Sequence, residues 1–376
     1  MDATIASADI AIIGSGMAGA SLAAEIGGAA KVVLVEREAH PGYHSTGRSA
    51  AFWSETYGGP AIQPLTTASF AHLSEWGFLA DRGAVHLAAE GSRRAIAALI
   101  DAYGATVRLQ PLDAKQLAAL IPGLRPGWGE GLAEPSCKDI DVAGLHAHYL
   151  GRARRAGVEL LVEAEVRNIR RHAGLWRIST RAGEVAASKI VNAAGAWAGE
   201  IAALAGAQPI AIQPYRRTIV QLEVDPPAPP GLPLVMDADQ RFYFKPEAGG
   251  RIWLSPHDET PTAPCDAAAE ELDVAIAIDR FEQVVNWQVV RRGRAWAGLR
   301  SFAPDRAPVY GFDGCAAGFF WFAGQGGFGI QTAPAAAMIG AALLLDRALP
   351  EAIRAIDVAR YSPARFGRDG STIGLG

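Results

Sequence analysis

Cysteine is nearly absent from this chain of 376 residues: Cys137, Cys265 and Cys315 are the whole complement, far apart and without paired spacing. That excludes a disulfide framework and a structural zinc site, and it fits a reducing compartment. Charge of one sign is missing too. Lys and Arg total 35 against 39 Asp and Glu, a formal net charge of −4. The arginine clusters (Arg152, Arg154 and Arg155; Arg170 and Arg171; Arg291, Arg292 and Arg294) are short and separated, so they read as solvated faces and no nucleic-acid partner is expected. Long apolar runs are rare. Only Cys315 to Leu345 lacks charge for long enough to be tested as a membrane span. Gln325, Gln331, Thr332, Pro334 and a cluster of glycines interrupt it, so a buried strand, a glycine loop and a helix is the better parse and no transmembrane segment is expected. The first thirty residues contain no Lys or Arg, and their apolar run ends in a glycine cluster, which argues against a secretory leader and for a cytoplasmic protein.

Metal and hydrolase signatures are lacking as well. His146 and His148 stand at i and i+2 of an expected helix, on different sides, so they form no metal pair and no metal is expected. No Ser, His and Asp set stands at motif spacing, and no internal repeat is visible. What the chain has in excess is glycine, 42 residues, about 11% against a typical ~7%. Glycine on that scale points to many tight turns or close approaches of backbone to a ligand. The remaining composition is ordinary for a globular protein, and the length suits two domains or one large domain with insertions.

The glycines are not scattered. Asp9-Ile10-Ala11-Ile12-Ile13 reads as a fully buried parallel strand and runs straight into Gly14-Ser15-Gly16-Met17-Ala18-Gly19. A helix is expected from Ala20 to Gly28, then a second strand, Val32 to Val35, ending at Glu36. The order strand, glycine turn, helix, strand, acid is the dinucleotide fingerprint in its proper context, with Glu36 placed 22 positions after Gly14. Gly14 makes the tight turn, Gly16 lets a pyrophosphate approach the main chain, Gly19 lets helix and strand pack closely, and Glu36 accepts hydrogen bonds from ribose hydroxyls. The alternative is a merely structural glycine turn.

A second glycine cluster, Gly324 to Gln331, follows the strand Phe319 to Phe322 and precedes a helix from Pro334 to Leu345, so its amides can face a ligand. Tyr43 to Trp53, rich in small hydroxyls, lies just after the acid; alone it would be an ordinary polar loop. A nicotinamide-dependent dehydrogenase leaves both stretches unexplained. Between these glycine-rich ends, residues 90–131 look like a helical, loop-rich insertion without strand alternation. Asp139 to Gly157 reads as a helix, and Val158 to Val162, Ile178 and Ile190-Val191 read as strands. Gln208 to Val224 and Gln240 to Leu254 alternate like antiparallel strands of a second, mixed domain.

Together, the Gly14 fingerprint, Glu36-Arg37-Glu38, His44-Ser45-Thr46-Gly47-Arg48-Ser49-Ala50, Asn192-Ala193-Ala194-Gly195-Ala196-Trp197, Trp296-Ala297-Gly298-Leu299-Arg300-Ser301-Phe302 and the last glycine cluster resemble the D-amino acid oxidase and glycine oxidase (DAO) family of FAD-dependent amine oxidoreductases. Within it they look nearest to the bacterial D-arginine dehydrogenases. The likeness covers nearly the whole chain and is weakest from Glu90 to Gly131. It implies an α/β fold with a Rossmann-like FAD-binding domain (1–80, 135–206 and 296–376) and a mixed α+β substrate domain (81–134 and 207–295). FAD would lie against Gly14, Gly16, Ala18, Gly19, Glu36, Arg37, Ser45, Thr46, Gly47, Arg48, Ser49, Ala50, Ala51, Phe52, Val166, Ala194, Gly195, Gly326, Gly327, Phe328, Gly329, Ile330 and Gln331. Tyr57, Arg217, Tyr243, Arg300 and the Gly327 main chain match the family's substrate positions, with no catalytic base assigned. Related sarcosine oxidases join the flavin to a cysteine soon after the stretch matching Trp296 to Phe302. None stands there in this chain, so FAD is expected to be non-covalent.

The activity implied is oxidative deamination of a D-amino acid by hydride transfer from Cα to flavin N5, giving a 2-oxo acid and ammonia. The electrons would pass to oxygen or to a quinone-like acceptor, the latter compatible with peripheral membrane association. Oxidation of a secondary amine of the sarcosine, glycine or proline type is the alternative within the enzyme class. A non-catalytic nucleotide-binding protein on the same fold is the alternative outside it. The residues themselves support the clamp in part. Arg217 shares a strand face with Ile219 and Gln221 while Arg216 points the other way. Arg300 sits among Trp296, Leu299 and Phe302 and needs an anion, either a substrate carboxylate or a structural partner such as Asp305. One departure bears on specificity. The acidic residue that pairs with a substrate guanidinium in the D-arginine dehydrogenases falls near Ala84 here, and a pocket histidine is replaced by Phe52, so neutral, hydrophobic or aromatic side chains are expected unless Glu55 or Glu90 restores the charge.

Overall fold

The computed structural model describes residues 4–372. Its first sheet has eight strands. Five of them run parallel in the order Glu159–Leu161, Val32–Val35, Thr4–Ile13, Gly183–Asn192 and Phe319–Ala323. The chain alternates faithfully across this sheet. Ile10 and Ile12 enter one core with Val32 and Leu34, while Ala11 and Ile13 enter the opposite core with Val33 and Val35. Both faces are covered, which is why these strands are apolar throughout. The helices Met17–Ile26, Val142–Arg155 and Ala333–Leu344 pack on the first face, and Ala198–Ala205 closes the second. The Gly14 turn and the last glycine cluster lead from the C-terminal ends of the strands Thr4–Ile13 and Phe319–Ala323, the edge where an open α/β sheet binds ligands.

The second sheet has ten strands and is mostly antiparallel. Its longest strands are the pair Gln213–Asp225 and Gln288–Phe302, towards one edge. The helix Glu271–Val284 lays Val274, Ala277, Phe281 and Val284 on this sheet, against Val220, Leu222, Phe244, Ile252 and Leu254. That spacing is one helical face. Residues 296–302 continue the strand Gln288–Phe302 without a break, so a division at 296 would cut it. The fold is thus the expected α/β class, a Rossmann-like parallel sheet joined to a mixed, largely antiparallel one.

Two local expectations are corrected. Residues 90–131 contain the helices Arg93–Tyr103 and Ala114–Leu120 but also the strand Gln110–Leu112 and the start of Glu130–Glu134, both at the end of the second sheet. Strands of three and five residues are too short to display alternation. The stretch Gln240 to Leu254 is a hairpin, Tyr243–Glu247 with Arg251–Ser255, turned by Gly249 and Gly250 at φ +78° and +73°. No helix among the described residues is long and apolar enough to cross a membrane.

Candidate active site

The three fingerprint glycines have different reasons to be glycine. Gly14 has φ +99°, and a Cβ there would come within 2.4 Å of the Ala193 carbonyl oxygen. A Cβ on Gly19 would lie 1.8 Å from the Gly14 oxygen, so that residue serves helix-to-strand packing. Gly16 is different. Its backbone, φ −65° and ψ −172°, suits any residue, and a Cβ would meet only the Thr46 Oγ1, at 3.2 Å. Apart from that one hydroxyl, the space around it belongs to a cleft. Next to it, the Met17 amide at the helix N-terminus donates to Thr46 Oγ1 at 2.9 Å. Glu36 is buried and fixed through Oε2 by the Ser15 amide and hydroxyl, at 2.9 and 2.6 Å, and through Oε1 by the Glu38 amide at 3.0 Å.

The cleft encloses about 1800 Å³ of empty space, its open mouth included. Its walls gather Gly14, Gly16, Ala18, Glu36, Arg37, Ser45, Thr46, Arg48, Ser49, Ala50, Ala51, Phe52, Val166, Ala194, Gly195, Gly326, Gly327, Gly329, Ile330 and Gln331. Three of the expected residues do not line it. Gly19 lies beneath the turn, and Gly47 is tucked against Gly42, its amide donating to that carbonyl at 2.7 Å. Phe328 packs between Tyr57 and Phe302 and faces a second cavity. Other residues line it that the expectation did not include, His44 and Trp197 among them. His44 bonds Glu38 at 2.9 Å and lies 4.6 Å, ring to ring, from Trp197, which in turn carries Arg37 over its face at 4.8 Å. Both stand inside the quoted motifs, but their role is visible only once residues 44 and 197 meet.

At one end of the cleft Tyr57, Arg217, Tyr243, Arg300 and Gly327 come together. Antiparallel pairing sets Tyr215 opposite Arg300 and Arg217 opposite Gly298, so the two arginines are diagonal neighbours on one face. A Cβ on Gly298 would touch the Arg48 Cβ at 3.5 Å and the Ser45 Cα at 3.9 Å. Arg300 lies against the Gly327 main chain, where a Cβ would be 2.6 Å from its Nη1, and donates to the Tyr57 hydroxyl at 2.6 Å. Arg216 points away and pairs with Glu270 and Asp273.

The charges at this end do not balance by themselves. Asp305, the alternative partner for Arg300, instead grips Arg365 at 2.6 and 3.1 Å. Arg300 has no carboxylate within salt-bridge distance among the described residues. Arg217 donates from Nε to the Asp258 carbonyl at 2.7 Å and from Nη2 to Glu259 at 3.2 Å, a carboxylate it shares with Arg306. Its Nη1 is buried with no hydrogen-bond partner among the described residues. Burial and the neighbouring Arg300 both push the Arg217 guanidinium below its ordinary range. Burial holds the Tyr243 phenol above its ordinary range, so it stays a hydroxyl donor. An unpartnered buried guanidinium N–H beside a second cation is costly unless an anion joins it.

A second cavity adjoins this end, sharing Tyr57, Tyr243 and Arg300 with the cleft. Ala84 does not line it; it is buried with Phe52, Cys137, Leu234 and Met236. Neither Glu55 nor Glu90 reaches it. Its carboxylates are Asp237, bound by Arg241, and Glu259, bound by Arg217 and Arg306. His86, two residues along the strand from Ala84, does line it and bonds the fully buried Glu134 at 3.0 Å. Burial raises the Glu134 carboxyl, but bonds from His86, Thr56 and Ser54 outweigh this and hold it low.

A family model described as FAD dependent oxidoreductase, DAO, matches residues 9–343. The chain is 31% identical over 222 residues to hydrogen cyanide synthase subunit HcnC of Pseudomonas aeruginosa, covering 58% of this chain and 50% of that protein. It is 28% identical over 274 residues to glycine oxidase of the same organism, covering 68% of each. The chain thus spans about half the length of the first of these relatives. Among solved structures, glycine oxidase from Geobacillus kaustophilus superposes with a TM-score of 0.82 at 23% identity, covering 95% of this chain and 98% of that one. L-proline dehydrogenase from P. horikoshii does so with 0.84 at 22%, covering 98% and 100%.

Proposed function

The chain belongs to the DAO family of FAD-dependent oxidoreductases, and from that premise we propose that it oxidises an amino acid at the carbon bearing the amine, with D-amino acids of uncharged side chain as its substrates. The cleft fits the family's cofactor. Gly16 keeps clear the space a pyrophosphate needs, the helix N-terminus adjoins it, and Glu36 is held as an acceptor for ribose hydroxyls. None of Cys137, Cys265 and Cys315 lines the cleft, which favours FAD held without a covalent bond. When bound, FAD supplies the two-electron acceptor for the hydride that leaves Cα.

The observation that carries this reading is the pair Arg217 and Arg300, with Arg217 Nη1 buried and unpartnered. A substrate carboxylate would satisfy that donor and balance the local charge, while Tyr57 and Tyr243 offer hydroxyls beside it. Two guanidinium groups and the Gly327 main chain then fix the orientation of Cα. The amine reacts in its neutral form, and the imino acid hydrolyses in water to a 2-oxo acid and ammonia. The carboxylates of the second cavity are already bound to arginines, which disfavours a cationic side chain and supports neutral ones over D-arginine and D-lysine.

A second reading, oxidation of glycine or a secondary amine, is favoured by the names of the similar proteins, glycine oxidase and L-proline dehydrogenase. It uses the same clamp. A non-catalytic nucleotide-binding protein would have no use for two arginines beside a flavin ring. Anaerobic mixing with D- and L-amino acids, glycine, sarcosine and proline, while the flavin band is watched for bleaching, separates these readings. Bleaching by D-leucine or D-phenylalanine supports the first. Bleaching by sarcosine or proline alone supports the second.

A further inference from the structure

The wall of the second cavity contains a histidine that the clamp does not use. His257 follows the strand Arg251–Ser255 and lies in the same cavity as Gln240. Both residues have left-handed backbones, φ +55° and +59°, a conformation that side-chain-bearing residues adopt at some cost and that needs support from the surroundings. They hold each other: His257 Nδ1 is hydrogen-bonded to the Gln240 carbonyl oxygen. A carbonyl only accepts, so Nδ1 carries the proton and Nε2 is left as an acceptor. Nε2 has no hydrogen-bond partner among the described residues. The ring centre stands 5.8 Å from that of Tyr243 and 6.4 Å from that of Tyr57, beside the clamp.

The imidazole cannot readily become a donor instead. Burial, then Arg217 and Arg300, push its pKa down to about 2, against the upward pull of the Gln240 carbonyl, with Arg280 adding to the decrease. The rest of the wall is largely apolar or already committed. Leu99, Met236, Phe242 and Phe328 supply hydrocarbon, and Asp237 and Glu259 are tied to arginines.

We propose that His257 reads the substrate's side chain, its Nε2 accepting a hydrogen bond from an uncharged donor: an indole N–H, an amide or a hydroxyl. This rests on the reading of Arg217 and Arg300 as a carboxylate clamp and selects within the uncharged substrates. A side chain without a donor leaves that acceptor unsatisfied; a carboxylate places acceptor against acceptor; a cation meets the arginines.

The test uses FAD-bound protein and carboxylates that lack the amine and so do not react. Two isosteric pairs serve: indole-3-propanoate against 1-benzothiophene-3-propanoate, and 3-carbamoylpropanoate against 4-methylpentanoate. Dissociation constants come from perturbation of the flavin spectrum and from calorimetry. In each pair that binds, the wild type should favour the donor-bearing member by on the order of tenfold. His257→Phe should abolish the preference, and His257→Gln, which keeps an acceptor, should restore part of it. Equal preference in wild type and His257→Phe, or a wild-type preference for the donor-free members, overturns the role of His257. If none of the four carboxylates binds, the clamp itself is refuted and this inference falls with it. Should His257→Phe lose its flavin, the wild-type ratios and His257→Gln still decide the matter.

Discussion

The cleft and the second cavity meet at Arg300, yet they are made from different materials. The cleft lies at the end of a parallel sheet, where glycines and an alanine bring backbone to its wall: Gly16, Ala18, Gly195, Gly326. The second cavity is lined by side chains carried on strands, loops and the helix Arg93–Tyr103, from residues 56–59, 86–103, 236–259 and 300–328, and its character depends on which charges find partners. A site built from backbone tolerates little change near its glycines. One built from side chains can alter its preference through single substitutions and keep the fold.

The largest contrast should come from the fingerprint itself. Gly16→Val should yield folded apoprotein, since only Thr46 Oγ1 and the cleft space receive the new side chain. Gly19→Val should instead damage the fold, because its Cβ collides with the Gly14 carbonyl. Flavin content and the thermal unfolding of apo forms separate the two; a Gly16→Val protein with full flavin would remove the cleft assignment. Next in size, Arg217→Met and Arg300→Met should each lower kcat/KM by about two powers of ten, on the order of 3 kcal/mol, with the flavin spectrum largely intact. Unchanged turnover in both would detach the arginine end of the cleft, where the two regions adjoin, from the chemistry.

A smaller effect is expected along the substrate series. D-leucine, D-methionine and D-phenylalanine should each exceed D-arginine in kcat/KM, because the carboxylates of the second cavity are already bound to arginines. D-arginine as the best of the four would mean that one of these carboxylates, or Glu134 behind His86, reaches the substrate. The smallest effect belongs to Asp305→Asn. Its partner is Arg365, so stability should fall while kcat/KM stays within about twofold; a large loss of activity would restore Asp305 as the partner of Arg300.

The same contrast decides what was legible in the sequence. The fingerprint lies within a stretch from Asp9 to Glu36, where strand, turn, helix and acid are consecutive, so local pattern is enough to find it. Strand alternation sets Arg216 and Arg217 on opposite faces, but only the family resemblance chose Arg217 for the substrate side; Arg216 pairs with Glu270 and Asp273. Whether Arg300 served a ligand or Asp305 was open in sequence, because it turned on a third residue, Arg365, sixty positions from Asp305. His257 gave no signal: its tautomer is fixed by a main-chain carbonyl, and its neighbours Tyr57 and Arg300 are remote in the chain. The strands Gln110–Leu112 and Glu130–Glu134 were missed for a simpler reason, since tertiary pairing and not periodicity defines elements so short.

The clamp is the claim on which the functional reading stands, and anaerobic flavin reduction by D-leucine compared with D-leucine amide tests it most directly. With the carboxylate replaced by a neutral amide, Arg217 Nη1 stays without its anion. Bleaching should be rapid with D-leucine and very slow with the amide, with the difference between them largely erased in Arg217→Met. Equally rapid bleaching by both compounds in the wild type would contradict the clamp.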